Sequence, residues 1–564
     1  MTRQAFRIVL AFILALLFLG QGITAPFHND EEAEPAGIVL EIVKSGRWLV
    51  PVDLQGQLSR KPPLFYWLAA IIARARGRRV DEAGARSVSL LAAAALATVV
   101  MEFARASFGL LSGCLAYLFL LGSYGFASRA AFARTDMLFT FLVFTAYSLF
   151  YPLARCEQST WRAVLVGVLL GLGILTKGPL ALVLCLVGLL IYFGARGQRP
   201  LRAVNNRQSW LILLIAATLA GSWYIPAFLR APALLRIQLL EENLGHFLPA
   251  RLGGTGEAAR PIYYIWLRFI GSTLPLNIYL ITAFPRILQG RKWGDMILYQ
   301  SALVVGSLTF FSLANSKRDD YILVALPSFA TVLGGLVSSA SAAGSGQLIR
   351  IANLIASLLL LGLGIAGLGA YGEALVFPEL PAKLHSNAAA YAALLSAADH
   401  YGRIGVTTLL IVGASLVGLH FALRHKAQSA AISVALAQLA AISLWIGLLT
   451  PALARQRTLK VFVLGARRIV ANHPVMIVGL PNYEVSYYFG RGIPPIPKDF
   501  QGGNRVDRPE YLLAWSDQLT QLRRFNRSLA TSVVSVSHET SGHRRMLLLS
   551  IGSGLPGERH ASSS

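Results

Sequence analysis

Apolar runs recur along nearly the whole chain, and no other feature limits its fold as severely. An α-helix needs about 20 apolar residues to cross the hydrocarbon of a bilayer, and backbone groups in lipid must bond within their own segment. A series of such runs therefore predicts serial transmembrane helices, whereas a β-barrel would show alternating polarity. Counted from Phe6–Ile23 to Ala430–Leu449, the runs predict about thirteen spans. The expected fold class is an all-α polytopic membrane protein. Of its 564 residues, 55% are hydrophobic and only 14% charged, which excludes a water-soluble core of this size. A reading of residues 1–24 as a signal peptide competes with the first span, but the run is long enough to cross.

The formal net charge of +24 points to anionic partners such as phosphate headgroups. Nucleic acid is not expected, because the cations are dispersed in loops between spans. Cys114, Cys156 and Cys185 have neither metal-ligand nor redox spacing. Short basic loops at 196–207, 286–292 and 424–426 fall on one side, with Arg3 and Arg7, if about thirteen helices alternate. That side is expected to be cytoplasmic. The segment 25–85 then faces outward, as do Asp136, Lys177, Glu242 and the turn Lys317–Asp320. Residues 1–450 are expected to form the membrane domain and 451–564 a soluble α/β domain on the outer face. Its expected strands are Val475–Leu480, Val533–Ser537 and Arg545–Ile551, and its expected helices Tyr483–Phe489 and Glu510–Arg524.

Segment 25–62 carries the densest chemistry. His28, Asp30, Glu31, Glu32 and Glu34 crowd the end of the first span, where charge is costly unless something receives it. Ala36–Ser45 reads as an amphipathic helix lying on the bilayer surface, and Arg60 and Lys61 then return cations towards the acids. Asp136 enters its span beside Arg129 and Arg134, and is equally readable as a helix cap. Lys177 in LTKGPL either binds an anion or snorkels to headgroups. Glu242 and His246, one helical turn apart, pair with each other or hold a divalent ion, zinc or magnesium, together with Glu31. Lys317, Arg318, Asp319, Asp320 and Tyr321 form a charged turn suited to phosphate. No organic cofactor is expected.

These segments occur together and in order with WLVPVDLQGQLSRKPPLFYW, SWYIPAF and PIYYIWLRFIGSTLP. The series resembles the lipid A 4-amino-4-deoxy-L-arabinose transferases, integral-membrane C-type glycosyltransferases related to protein O-mannosyltransferases. The resemblance covers roughly residues 5–340. It implies that an amino sugar moves from undecaprenyl phosphate to a phosphate of lipid A or a lipopolysaccharide precursor at the periplasmic face of the bacterial inner membrane, giving resistance to polymyxin. The resemblance puts the family's functional positions on Asp30, Glu31 and Asp136 as catalytic carboxylates, the first two as base, amine binder or metal ligand, and on Lys61, Lys177, Glu242, Lys317 and Tyr321 as substrate contacts, with Arg60 and Arg318 beside them. Two departures bear on substrate detail: Arg60 stands where the family usually has Glu, and the turn at 317–320 is unusually charged. A monomer among membrane lipids is expected. Transfer to protein hydroxyls or another envelope glycan is the alternative within the class, and a lipid or sugar transporter the alternative outside it.

Overall fold

Long apolar helices account for most of the chain, as the patterning requires. The computed structural model describes residues 2–551 apart from 156, 201–204, 246–258, 284–293, 340–345, 377–400, 497–508, 520–530 and 539–543. The first nine helices are α1 (Arg3–Leu19), α2 (Asp30–Ser45), α3 (Leu64–Ala75), α4 (Glu82–Phe108), α5 (Leu110–Gly122), α6 (Tyr124–Ala130), α7 (Thr135–Ala154), α8 (Thr160–Lys177) and α9 (Leu180–Ala195). Among the described residues nine helices are long and apolar enough to cross a membrane, or up to eleven if each of two bent pairs is one span. The bent pairs are α5 with α6, at 69°, and Tyr264–Thr273 with Leu276–Ala283, at 103°. The expected count of about thirteen is therefore not reproduced by length: α1 and α9, with 17 and 16 residues, fall short of a full crossing.

Segment 25–85 is more ordered than a loop. Asn29 caps α2 by accepting from the Glu32 N–H, and Gly46 ends it in the left-handed conformation, at φ 74°. Asp30, Glu31 and Glu32 occupy the first turn, where the helix dipole favours acids. The helix thus starts at Asp30, not Ala36, and it is not a surface helix. Its Ala33, Ala36, Ile38, Val39, Ile42 and Val43 are buried between α3 and the helix Tyr483–Phe489.

A buried ion pair fastens this region. Arg86, in the first turns of α4, grips Glu32 through two hydrogen bonds of 2.7 Å, and both side chains are almost fully enclosed. Arg86 also donates to the carbonyls of Ile23 and Ala25, while Glu32 accepts from the Ala133 N–H at 3.0 Å. One pair therefore ties the exit of α1, α2, α4 and the turn before α7.

A four-stranded sheet lies in the C-terminal region, ordered β1 (Val475–Ile477), β2 (Tyr511–Trp515), β4 (Met546–Ile551), β3 (Thr531–Val536). The first two pair in parallel and the others antiparallel. Tyr511–Trp515, expected as the start of a helix, is a strand because it pairs along its whole length with β4. One apolar core unites Phe462, Val463, Leu513 and Leu548 with Phe27, Ala33 and Ala85, so the sheet rests on the segment that follows α1. Tyr488 accepts from the Phe27 N–H at 2.8 Å and donates to Glu82 at 2.9 Å. Glu484 is buried and accepts from Leu459 N–H at 2.6 Å and Thr458 hydroxyl at 3.0 Å. Burial pushes its pKa up from 4.5 to about 7.

At the opposite end of the bundle Arg7 of α1 pairs with Glu102 near the end of α4 at 2.6 Å. Asp295 there receives Tyr151, Tyr192 and Arg196 from the ends of α7 and α9.

Two outcomes are expected. Replacing Arg86 with Ala strands the Glu32 carboxylate in the interior and costs about 3–5 kcal/mol, read as loss of monodisperse protein in detergent. Because the folded Glu484 holds its proton more tightly than the unfolded chain does, its contribution is complete below pH 4.5 and is lost as pH rises through about 7. The thermal midpoint should fall over that window, and Glu484→Gln should flatten the fall.

Candidate active site

Asp136 sits in the first turn of α7, where its span starts, and is 6% exposed. A charge there demands partners. Lys177, the last residue of α8, supplies one directly, and Arg134 Nε lies 3.3 Å from the other carboxylate oxygen. Arg134 extends the series, because it also donates to Asp320 at 2.8 Å and to Glu31 at 3.2 Å. Beyond it, Arg129 Nε lies 2.8 Å from Asp320 and Arg318 3.3 Å from Glu31. Charges thus alternate from Lys177 through Asp136, Arg134 and the Glu31/Asp320 pair to Arg129 and Arg318. Residues up to 287 positions apart meet in one layer at one end of the bundle.

A second pair adjoins this layer. Lys61 bonds to Glu242, with Arg60 at 3.8 Å from the same carboxylate. The turn that presents Lys61 is held by buried Gln238, whose amide donates to the carbonyls of Ser59 at 2.9 Å and Lys61 at 3.1 Å. Gln238 and Glu242 lie four residues apart on a π-helical segment, Arg236–Leu244, and both side chains reach segment 59–61. The Lys177 ammonium stands 5.6 Å from the ring centre of Tyr321, which stacks on Phe311 at 4.4 Å.

Several expected residues lie elsewhere. Asp30 turns away from the charge layer, and its carboxylate accepts from the N–H groups of Tyr483 and Glu484 at 2.9 and 3.2 Å, satisfying the free start of that helix. Lys317 is buried and donates to the carbonyls of Arg260, at 2.9 Å, and Ala314. His246 lies outside the described residues. Among those described, no three His, Cys, Asp or Glu side chains are placed to hold a metal, and Glu31 and Glu242 each face cations instead. Arg129 and Arg134 read in the sequence as flanking topology charges, and Gln238 gave no signal. The clue for the arginines was two cations within seven residues of a carboxylate at a span entrance.

A family model described as dolichyl-phosphate-mannose-protein mannosyltransferase matches residues 60–225. The chain is 28% identical to the undecaprenyl phosphate-alpha-4-amino-4-deoxy-L-arabinose arabinosyl transferase of Pseudomonas savastanoi pv. phaseolicola, over 63% of this chain and 66% of that one. It is 31% identical to the protein of the same name from Aeromonas salmonicida, over 56% of each. These matches span less than two thirds of the relatives' length. Among solved structures, ArnT from Cupriavidus metallidurans bound to undecaprenyl phosphate aligns over 97% of this chain and 98% of that one, with TM-score 0.73 and 17% identity. The chain has the fold of ArnT. The resemblance read from its motifs is borne out, as is the expected all-α polytopic architecture with a small C-terminal sheet.

The charge layer predicts a diagnostic stability pattern. Asp136→Asn leaves Lys177 and Arg134 with one carboxylate fewer and should cost about 3–5 kcal/mol. Adding Lys177→Met should recover most of that loss in thermal unfolding without restoring activity.

Proposed function

We propose that this chain is a glycosyltransferase that moves 4-amino-4-deoxy-L-arabinose from undecaprenyl phosphate to a phosphate of lipid A. The reaction takes place at the periplasmic face of the inner membrane. The observation that carries this reading is the meeting of Lys61, Lys177, Asp136, Glu242 and Arg134 at the membrane boundary. When the sugar departs, negative charge grows on the carrier phosphate, and cations already in place stabilise it without reorganisation. Lys61 and Lys177 fill that role. The anomeric carbon becomes cation-like, and a carboxylate beside it, Asp136 or Glu31, stabilises that charge. A lipid A phosphate is already ionised near neutral pH, so it needs orientation and no general base. The carrier's tail stays in the bilayer while its head enters the charged layer.

The relatives' names and the ArnT fold support the same chemistry. Arg7, Arg105, Arg155 and Arg196, gathered at the other end of the bundle, support a periplasmic site, since positive residues are retained on the cytoplasmic side. Transfer of labelled aminoarabinose from the carrier to lipid A is measured on full-length protein in nanodiscs. Lys61→Gln is expected to lower the rate by about 100-fold while the protein stays monodisperse. Full activity in Lys61→Gln and Lys177→Gln alike would remove the proposed site. Mass spectrometry of lipid A from cells with and without the chain reads the acceptor: an unchanged aminopentose content rules out lipid A.

A further inference from the structure

At the end of the bundle away from the charge layer, cations are held by carboxylates of this chain. Arg7 and Arg105 share Glu102, Arg155 and Arg196 share Asp295, and Arg162 has Glu157. One cluster there differs. The helix Ala325–Ser339 begins just after the charged turn and runs away from it, so the helix Gly346–Val376 starts at this opposite end, where Tyr401–Leu423 finishes and Ala427–Leu444 begins. Their meeting point gathers Arg350, Arg424, His425 and Lys426, and among the described residues none of these has a carboxylate partner. Segment 340–345, which leads into this helix, contains no Asp or Glu either. Arg350 faces His425 Nε2 at 3.3 Å and keeps its own Nε buried with no hydrogen bond. A guanidinium can only donate, so the ring nitrogen accepts and the contact neutralises nothing. His425 adopts the left-handed conformation, at φ 58°, a strain that a residue other than glycine bears only when its surroundings fix it. Buried Asn353, one turn along from Arg350, accepts from the Tyr279 hydroxyl at 2.7 Å and donates to the Ala427 carbonyl at 3.0 Å. The position of Arg350 against the turn at 424–427 is thereby set.

Apolar rows lead away from the cluster: Ile351, Ile355 and Leu358 on one helix, Leu416, Val417 and Leu423 on the other, all exposed as lipid-facing residues are. Both helices are among the least enclosed of the candidate spans. Cations without acids at the end of a span, above apolar rows, suit a lipid whose phosphodiester is not neutralised by an amine of its own. We infer that Arg350, His425 and Lys426 form the seat of an anionic phospholipid, its phosphodiester drawn to the Arg350 guanidinium and its acyl chains lying along Ile351, Ile355 and Leu358. The guanidinium offers donors in a fixed fork that matches two phosphate oxygens, and Lys426, whose ammonium stands 5.9 Å from the Phe421 ring centre, adds a point charge beside it. A zwitterionic headgroup brings its own cation to the same place and gains less. Occupancy joins the three helices that meet there. The seat lies at the far end from the transfer site, so it stands or falls independently of the reaction proposed above.

Native mass spectrometry of the full-length protein released from detergent reads the bound lipid directly. Titrated separately with phosphatidylglycerol and with phosphatidylcholine of the same chains, wild type is expected to hold the first about tenfold more tightly. Arg350→Gln should weaken phosphatidylglycerol by about tenfold and leave phosphatidylcholine within about twofold. Lys426→Gln, at an exposed position, should weaken it by about fivefold and keeps the test open if Arg350→Gln does not fold. Arg105→Gln removes the same charge from the same end of the bundle, where Glu102 is its partner, and should leave both affinities within about twofold. Phosphatidylglycerol with a photoreactive acyl chain should label residues 346–376 or 401–426, and inorganic phosphate should not displace it. Unaltered phosphatidylglycerol affinity in both Arg350→Gln and Lys426→Gln would overturn the assignment. An equal loss in Arg105→Gln would reduce the preference to the general charge of that surface and overturn it as well. So would label confined to other helices, or displacement by inorganic phosphate, which would leave a simple anion site.

Discussion

Taking a guanidinium and a carboxylate out of water together, between Arg86 and Glu32, is the constraint on which the charged end of this molecule depends. Each ion alone would cost several kcal/mol at that depth, so neither tolerates the other's removal. The pair also collects the carbonyls of Ile23 and Ala25 and the N–H of Ala133. These belong to two separate stretches of chain, the exit of α1 and the turn before α7. Glu31 is fixed by the next residue in α2, and Arg134 by Ala133 directly before it, so the wall of charge inherits its geometry from a contact outside the wall.

The wall itself obeys a local rule. No cation in it is served by one acid alone when two are in reach, and Arg134 is shared among Asp136, Asp320 and Glu31. Such sharing lets a charged ligand replace an internal partner at either end without leaving the neighbouring group bare. Lys61 with Glu242 on one side and Arg318 with Glu31 on the other are pairs of this kind.

Hydropathy made the membrane class and most helices legible, because burial in lipid leaves a composition that no other environment requires. It did not reveal the breaks after Gly122 and Thr273, since a run interrupted by Ser123 or Leu274 stays apolar throughout. The start of α2 was legible in principle: Asn29 three residues before Glu32 is a cap signal, obscured by reading the acids as chemistry alone. Asp30 and Glu31, adjacent in sequence, part company because neighbouring residues on a helix point about 100° apart. YLLAW is ambiguous in sequence, because a five-residue apolar run has no decisive period and only pairing with β4 makes it a strand. Clustering of Asp136, Lys177, Lys61 and Glu242 was anticipated by sidedness, while their pairing depended on helix lengths and tilts that composition does not encode.

The break at Ser123 leaves α6 as a segment of only seven residues, carrying Tyr124 at one end and Arg129 near the other. Each residue added or removed there would swing Arg129 by about 100° about the helix axis and shift it by about 1.5 Å. Gly125 and Ser272 already approach so closely that an added Cβ would stand 2.9 Å from the serine. The length of this short piece is therefore as tightly metered as the side chains it bears, and insertions in this part of the protein would have to accumulate in other connections.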